Sequence, residues 1–282
     1  MGKNLMAVAV QENASQSLAE EVYELKGEIL KTLYAAGGGH YGGCLSVIDI
    51  LVVLYRYKLR INPAVPEHAA RDRFILSKGH AAVALYAVLQ KLGYFQDNLL
   101  DYSLFGSALE GHPDMLTVPG IDFSSGSLGQ GVSVGLGMAL SLPRDNNVWV
   151  VLGDGECQEG QIWESAMLAC NTAVSNLKVI VDCNKHQEWG WAERNGEKPA
   201  PVSDMVEKWR AFGWHVVECD GHDHRALMAA MDEVDAHSGQ PAVIIAHTVK
   251  GKGVVAIEKD PVRFHCGTVT EIEHYQIMRD YS

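Results

Sequence analysis

Short apolar runs alternate with longer segments of helical periodicity along this chain. The apolar runs are rich in β-branched residues and are bounded by Gly or Asp, a pattern typical of buried strands. These runs lie at residues 73–77, 148–152, 177–182, 214–218 and 242–248. Segments with apolar residues at helical spacing lie at 17–34, 46–56, 81–92, 129–141, 162–174, 202–212 and 224–236. This alternation predicts an α/β fold, with a doubly wound, mainly parallel sheet and helices on both faces.

The domain organisation is predicted to be simple, with one domain over residues 17–282 and an N-terminal extension at 1–16. At 282 residues the chain is long enough to bury a large core. We find no internal repeat, low-complexity block or linker that would divide it. The extension lacks the apolar core and cleavage site of a signal peptide, and no segment is long enough to span a bilayer. We therefore expect a cytoplasmic protein.

The net charge of the chain argues against two classes of binding partner. There are 23 basic and 35 acidic residues, which give a formal net charge of −12. Binding to nucleic acid or to an anionic membrane needs clustered Lys and Arg, and no such cluster is visible, so we expect neither partner. The six cysteines are scattered singly, without a C-x-x-C pair, which favours free thiols in a reducing compartment.

The sharpest chemical signal follows the predicted strand 148–152. Gly153, Asp154 and Gly155 come directly after that strand, and Asn184 follows the next strand along the chain. Because the carboxyl ends of parallel strands meet at one edge of a sheet, we expect Asp154 and Asn184 to lie close together. Their oxygens suit a hard cation that keeps phosphate oxygens among its ligands, such as Mg²⁺ or Ca²⁺, better than zinc. Taken alone, Asp154 could also be a helix N-cap.

Several segments together resemble transketolase, a family of thiamine diphosphate-dependent enzymes. Residues 153–160, which read GDGECQEG, resemble its cofactor motif together with Trp163, Glu164 and the closing Asn184. Segments 39–46, 71–80, 111–113 and 125–131 resemble the family's three histidine loops and its Gly-rich turn, in family order. His265 stands where the family places a late histidine. The resemblance covers only the diphosphate-binding domain, because a full-length transketolase is more than twice as long.

The resemblance implies that this chain is the N-terminal subunit of a split transketolase. Such an enzyme transfers a two-carbon ketol unit from a ketose to an aldose, with thiamine diphosphate and Mg²⁺, for which Ca²⁺ or Mn²⁺ can substitute. A C-terminal subunit would supply the pyrimidine-binding domain and the glutamate that activates the cofactor. Because thiamine sites form between subunits, the resemblance implies an α2β2 assembly, acting on sugars or sugar phosphates and inactive without the partner.

The resemblance also assigns roles to individual residues. The metal ligands would be Asp154, Asn184 and the backbone carbonyl of His186. Contacts with the cofactor would come from His80, Gly126, Leu128, Gly153, Asp154, Gly155, Glu156 and Asn184, although Leu128 could equally be a core residue. His112 would hold the terminal hydroxyl of the donor, and His40 with His265 would relay protons to substrate oxygens. Imidazole suits this work because its ordinary pKa lies near working pH.

Two further pairs of residues carry competing interpretations. Glu159 and Glu164 match family glutamates that lie at a subunit interface between two active sites, yet acidic residues at a helix start are also favoured by the helix dipole alone. His222 and His224 could suggest a metal site. With no third ligand nearby, we predict a solvated turn for these two histidines.

Two loops depart from the family's pattern. Glu188 replaces an aliphatic residue that would touch the thiazolium ring, Trp189 replaces an Asp, and Cys266 separates His265 from the Gly that usually follows it. A carboxylate near a thiazolium favours the cation, whereas activation of the cofactor gains from an apolar setting. We therefore predict that the substrate is not the ordinary pentose phosphate pair.

The residues leave two other functions open. The departures at positions 188 and 189 are compatible with a non-catalytic thiamine-binding scaffold, although a scaffold need not keep the four loop histidines. A thiamine enzyme of another kind, such as a deoxyxylulose-phosphate synthase or a component of a 2-oxo acid dehydrogenase, is the other alternative. The histidine set favours ketol transfer over these reactions.

Overall fold

The computed structural model describes residues 2–188 and 201–281, with side chains from residue 15 onward. Its centre is a parallel sheet with the strand order β1-β2-β3-β5-β4. The strands are β1 (Arg73–Leu76), β2 (Val148–Gly153), β3 (Leu177–Cys183), β4 (His215–Asp220) and β5 (Ala242–His247). Each predicted strand is present within two residues of its predicted bounds. The predicted parallel α/β sheet is confirmed.

Helices cover both faces of this sheet, as predicted. They are α1 (Gly2–Ala35), α2 (Tyr41–Val53), α3 (Ala82–Leu92), α4 (Gln130–Ser141), α5 (Gly160–Asn171), α6 (Met205–Ala211), α7 (His224–Ala236), α8 (Val255–Lys259) and α9 (Glu271–Met278). Helices α1, α2, α3 and α7 share one apolar core, and α4, α5 and α6 pack on the other face. The strand side chains alternate between the two cores, since Ile180 of β3 joins the first while Val179 and Val181 join the second.

Three helical regions differ from the expected pattern. Helix α1 begins at Gly2, so the predicted division between residues 16 and 17 falls inside one helix. Helix α2 begins at Tyr41, five residues earlier than expected, because Gly42 and Gly43 form part of its first turn and carry no apolar periodicity. The short helices α8 and α9 were not predicted, and α9 begins at a capping box formed by Thr270 and Glu273.

The carboxyl edge of the sheet brings together the loops that the motifs occupy. Gly153 at the end of β2 lies opposite Asp182 of β3, so the segments that follow these strands leave the sheet side by side. All six cysteines are free thiols. Within residues 2–188 and 201–281, no helix combines the length and the apolar character needed to cross a bilayer.

Candidate active site

A cavity of about 370 Å³ lies at the carboxyl edge of the sheet. It is lined by all of the site residues predicted from the sequence except His112 and Glu164. Residues from segments far apart in the sequence therefore converge on one site: the start of α2, the loop after β1, the turn before α4, the loops after β2 and β3, and the segment after β5. This convergence follows from the parallel sheet, whose strands all end at this edge.

Asp154 and Asn184 lie on the same edge, and the backbone holds them there. Lys185, directly after Asn184, has a φ of 63°, a left-handed conformation that turns the chain back toward the end of β2. Its N–H donates to Asp154 Oδ2 at 2.5 Å, and the Gly155 N–H donates to Asp154 Oδ1 at 2.8 Å. The His186 N–H donates to Asn184 Oδ1 at 3.0 Å. The two predicted ligand side chains are thus fixed by main-chain donors.

The Asp154 carboxyl is buried, and its hydrogen bonds come from main-chain N–H groups. Only 3% of the residue is exposed, and within the described part of the chain no Lys or Arg forms an ion pair with it. Burial, and after it the charge of Asp182, raises the pKa of Asp154 to about 7. A buried carboxyl of this kind is stabilised by a cation, and the neighbouring Asn184 amide oxygen adds a second hard oxygen donor. The residues present therefore fit a divalent cation bound between the two loops.

Glu156 ties three of the loops together. Its carboxylate accepts hydrogen bonds from the Ser77 hydroxyl, from the Gly129 N–H at 2.9 Å and from the Gly153 N–H at 3.2 Å. These partners belong to the loop after β1, the turn before α4 and the end of β2. Burial raises the pKa of Glu156. Its predicted contact with a cofactor stays a prediction, since these hydrogen bonds all go to the protein itself.

A buried ion pair adjoins the cavity, which Lys78 lines. Lys78 Nζ is 2.5 Å from Asp182 Oδ2, and both side chains are almost fully buried. The carboxylate also accepts hydrogen bonds from the hydroxyls of Ser46, at 2.6 Å, and Thr248. Burial alone would raise the pKa of Asp182, but Lys78 and the two hydroxyls outweigh it and hold that pKa below its ordinary value. The charges of this pair are therefore satisfied within the fold.

Three of the predicted histidines form one cluster in the cavity wall. The ring centroid of His40 is 5.0 Å from that of His80 and 5.8 Å from that of His265, and the last two are 5.6 Å apart. Burial is the main cause that lowers the pKa of His40 to about 4 and of His265 to about 3. Burial also lowers the pKa of His80 well below its ordinary value, with the charge of Lys78 as the next cause. All three rings are neutral at pH 7.

His112 stands beside this cluster in an adjoining cavity of about 400 Å³, whose lining it shares with His40. The Tyr86 hydroxyl holds the loop by donating to the His112 carbonyl at 3.0 Å. Gly126 leaves room for the imidazole, because a Cβ at that position would lie 3.3 Å from His112 Cδ2. The two cavities meet at His40, which lines both.

The remaining predicted residues are placed as follows. Leu128 is half-buried and lines the cavity. Glu159 lies at the N-terminus of α5 and lines the cavity, whereas Glu164 is exposed on the same helix. An interface role for the two glutamates stays a prediction.

The two loops that differ from the family's pattern lie only partly within the described residues. Glu188 is exposed at the mouth of the cavity, where its charge acts on Lys250. Cys266 is exposed in the adjoining cavity that contains His112. Trp189 lies outside the described residues. A carboxylate therefore stands at the mouth, where the family resemblance predicts an aliphatic side chain.

Sequence reasoning missed the charged groups behind the histidines. Lys78 and Lys250 both line the cavity, and Lys250 Nζ lies 2.5 Å from His265 Nδ1. Lys78 stands in the motif that ends at His80, so its place in the site could have been inferred. Lys250 had a weaker signal, a lysine between predicted strand β5 and the glycine at position 251.

The predicted solvated turn at His222 and His224 is wrong. Both imidazoles pack against Asp49 of α2, with His222 Nδ1 at 3.0 Å and His224 Nε2 at 2.8 Å from its carboxylate oxygens. Lys26 of α1 completes the group at 3.3 Å. The two histidines lie far from Asp49 in the sequence, so no local pattern could indicate that a buried carboxylate packs against this turn. The cluster joins α1, α2 and the start of α7.

The sequence matches known proteins over most of its length. Residues 28–279 match the family model for the transketolase thiamine diphosphate-binding domain. The chain is 42% identical over 228 residues to the 6-deoxy-6-sulfo-D-fructose transketolase subunit SqwG of Clostridium sp. (strain MSTE9), which covers 79% of this chain and 82% of that protein. It is 36% identical over 271 residues to an apulose-4-phosphate transketolase subunit of Phocaeicola vulgatus, covering 93% of this chain and 94% of the other.

The fold is similar to that of solved transketolases. The crystal structure of the Pichia stipitis enzyme in complex with sedoheptulose 7-phosphate superposes with a TM-score of 0.83 at 29% identity. The match covers 93% of this chain but only 40% of the yeast chain. This chain therefore spans about two fifths of a solved transketolase, whereas it spans most of the two bacterial subunits.

Proposed function

This chain belongs to the family of the transketolase thiamine diphosphate-binding domain, and from that membership we propose that it is the diphosphate-binding subunit of a two-chain transketolase. The observation that carries the proposal is the single cavity on which Asp154, Asn184 and the cluster of His40, His80 and His265 converge. Thiamine diphosphate, when bound, supplies an electron sink for cleavage of the bond beside a ketose carbonyl. The chain's own residues bind, orient and exchange protons around it.

The loops after β2 and β3 hold the metal and the diphosphate in this proposal. Asp154, Asn184 and the carbonyl of His186 ligate Mg²⁺, or Ca²⁺ or Mn²⁺ in its place, because the buried Asp154 carboxyl needs a cation and all three supply hard oxygen atoms. Gly155 and His80 contact the diphosphate. A Cβ on Gly155 would lie 3.1 Å from Gln187 Cβ, so the glycine keeps the passage between the two loops open.

The histidines act on the sugar. His112 binds the terminal hydroxyl of the donor. His40 exchanges protons with the substrate oxygens beside the scissile bond, and His265 forms a hydrogen bond with them. Burial keeps these last two histidines neutral, so each ring has one donor and one acceptor nitrogen at pH 7. Glu159 and Glu164 connect two such sites across a subunit interface.

The partner is a second chain that carries the pyrimidine-binding domain and the activating glutamate, in an α2β2 assembly in the cytoplasm. What supports this is the difference in coverage, 94% of a bacterial transketolase subunit but 40% of a solved transketolase chain. The test is ketol transfer assayed with each chain alone, with both chains, and with both chains after chelation of divalent metal. We expect turnover only with both chains, thiamine diphosphate and metal. Robust turnover by this chain alone would contradict the proposal.

The donor is an unusual ketose rather than xylulose 5-phosphate. Two observations support this, the carboxylate of Glu188 at the cavity mouth and the names of the two similar subunits, which refer to a sulfonated ketose and to apulose 4-phosphate. Steady-state kinetics of the assembled enzyme with these ketoses and with xylulose 5-phosphate compares them directly. A kcat/KM highest for xylulose 5-phosphate would refute the assignment.

A further inference from the structure

Lys250 and His265 form the closest contact in the histidine cluster, with 2.5 Å between Lys250 Nζ and His265 Nδ1. Lys250 follows β5, and His265 lies in the loop after α8, so the contact joins two separate segments. Both residues line the main cavity. An ammonium group has three donors and no acceptor, so in this contact the lysine donates and His265 Nδ1 accepts.

The protonation states that this geometry requires agree with the surroundings. Burial, and then the charge of Lys78, lowers the pKa of Lys250 to about 8, so its amine is mainly an ammonium at pH 7. Burial, and then Lys250, holds the pKa of His265 at about 3, so the ring is neutral. In a neutral imidazole only one nitrogen carries a proton. With Nδ1 acting as acceptor, that proton is on Nε2.

We propose that Lys250 is a positioning residue that holds His265 in the Nε2–H tautomer, and that His265 therefore serves the substrate as a hydrogen-bond donor and not as a base. The tautomer assignment stands on this chain alone, and the substrate role rests on the proposed function. The Nε2–H group suits a carbonyl or alkoxide oxygen on the ligand, where negative charge develops during cleavage of a bond beside a carbonyl.

The fold is built to hold Lys250 in this place. A Cβ on Gly42 would lie 2.8 Å from Lys250 Cγ, so α2 needs a glycine where the lysine side chain passes. The Gly251 N–H donates to the Gly42 carbonyl at 3.1 Å and fixes the same crossing from the other side. The lysine therefore has little freedom to leave His265.

The cluster around Asp49 anchors the backbone just before Lys250. The Val249 N–H donates to His222 Nε2 at 2.8 Å, so this nitrogen is unprotonated and His222 Nδ1–H donates to Asp49. His222, which the sequence placed in a solvated turn, therefore holds the segment that carries Lys250. Further charged or titratable groups act on Lys250 and His265: His40, Lys78, Asp154, Asp182 and Glu188.

The first experiment observes the tautomer without any assay of activity. The full chain, labelled with nitrogen-15 at histidine, is examined by two-bond hydrogen–nitrogen correlation, alone and with its partner. We expect an Nε2–H tautomer for His265 at pH 7 and no protonation of the ring down to pH 5. In Lys250→Met the pKa of His265 should rise by at least about one unit, because its nearest positive charge is gone. An Nδ1–H tautomer in the wild type, or a His265 pKa that Lys250→Met leaves unchanged, would overturn the proposal.

The second experiment asks whether Lys250 acts through His265. In the assembled enzyme Lys250→Met should lower kcat/KM by about 10- to 100-fold, the range of one hydrogen bond to a charged group. In a His265→Asn background the same change should have little further effect, because the positioned ring is already absent. Multiplicative losses would mean that Lys250 acts on something else and would overturn the proposal.

Two variants complete this design. Lys250→Arg keeps a cationic donor and should retain more activity than Lys250→Met. Lys252→Met removes a neighbouring charge outside the described cavity lining and should leave kcat/KM unchanged. Absence of ketol transfer in every preparation would contradict the proposed function, while the tautomer of His265 would still be decided by the spectra.

Discussion

At the scale of single residues, the site is a set of buried polar groups whose protonation is set by burial and by a few close neighbours. Asp154 is a carboxyl whose pKa is raised to about 7, and His40 and His265 are imidazoles whose pKa values are lowered to about 4 and 3. Each shift favours the uncharged form of its group. The cavity by itself therefore disfavours both the negative form of Asp154 and the positive forms of the histidines. A bound group of the opposite charge would offset the cost of charging each of them.

Replacing Asp154 by Asn tests the metal site. The amide has nearly the same shape but lacks the negative charge, so we expect Mg²⁺ affinity in the assembled enzyme to fall by more than the roughly 10- to 100-fold typical of losing an outer-shell partner. Titration calorimetry with Mg²⁺ and thiamine diphosphate measures the loss. Asp97→Asn, at an exposed position, is the control and should bind as the wild type does. Equal affinities for the two variants would argue against Asp154 as a ligand.

Replacing His80 by Asn tests the neutral imidazole. Unfolded His80 binds a proton below its ordinary pKa of 6.5, whereas burial lowers the pKa in the folded chain well below that value. The wild type should therefore be most stable above pH 6.5 and lose stability as the pH falls below it, by up to about 1.4 kcal/mol per pH unit for this one proton. Urea unfolding at pH 5, 6 and 7 measures the slope. His80→Asn should show a shallower slope, and the same slope in both chains would refute the assignment.

At the scale of elements, the glycine-rich turn before α4 shows why one of its positions requires a glycine. Gly129 has a φ of +84°, and a Cβ there would lie 2.7 Å from Glu159 Cβ. Its N–H also donates to Glu156, which ties the turn to the end of β2. The turn can keep this hydrogen bond and its distance from α5 only with a glycine.

Two glycines of the same region should respond to alanine in opposite directions. Gly129→Ala should lower the free energy of unfolding by at least about 1–2 kcal/mol, the cost of a left-handed conformation in a residue with a Cβ. Gly137, in the middle of α4, has open space around its Cβ position, with nothing within 4 Å apart from its chain neighbours and the helix's own backbone. Gly137→Ala should therefore raise the free energy of unfolding by about 0.5–1 kcal/mol. Urea unfolding of the isolated chain measures both. A gain at position 129 would contradict the account of the turn.

The elements also show how much of the fold the sequence could predict. Strands β2, β3 and β5 are mainly apolar and rich in β-branched residues. Their positions, and the placing of Asp154 and Asn184 on one edge, therefore followed from pattern alone. The contacts of Lys250 with His265 and of Asp49 with His222 could not be predicted in this way, because they join segments that no periodicity relates. The short helices α8 and α9 were missed because each is too short to show an apolar face.

At the scale of the whole molecule, the chain that forms this cavity spans 40% of a solved transketolase chain. The chain carries the residues proposed to hold metal and diphosphate, and the proposed partner carries the glutamate that activates the cofactor. In the proposed assembly, cofactor and partner bind to adjoining surfaces of one site. Any coupling between their binding free energies is then the same from either direction.

This reciprocity gives a quantitative prediction. If the partner tightens the binding of thiamine diphosphate and Mg²⁺ by some factor, the cofactor should tighten association of the two chains by the same factor. Titration calorimetry gives the first factor, and sedimentation at several protein concentrations gives the second. We expect a factor well above one from both measurements, because the proposed site is shared between the two chains. A factor of one, with cofactor and partner binding independently, would contradict a shared site.

The carboxylate of Glu156 has a consequence for protein engineering. Because it accepts hydrogen bonds from Ser77, Gly129 and Gly153 at once, a change in any one of three loops is transmitted to the other two. If libraries randomise these loops separately, the effects of their substitutions will not be additive when they are combined. Diversity is better introduced at Glu188, which lines the cavity and has no part in these hydrogen bonds, so that the framework stays intact.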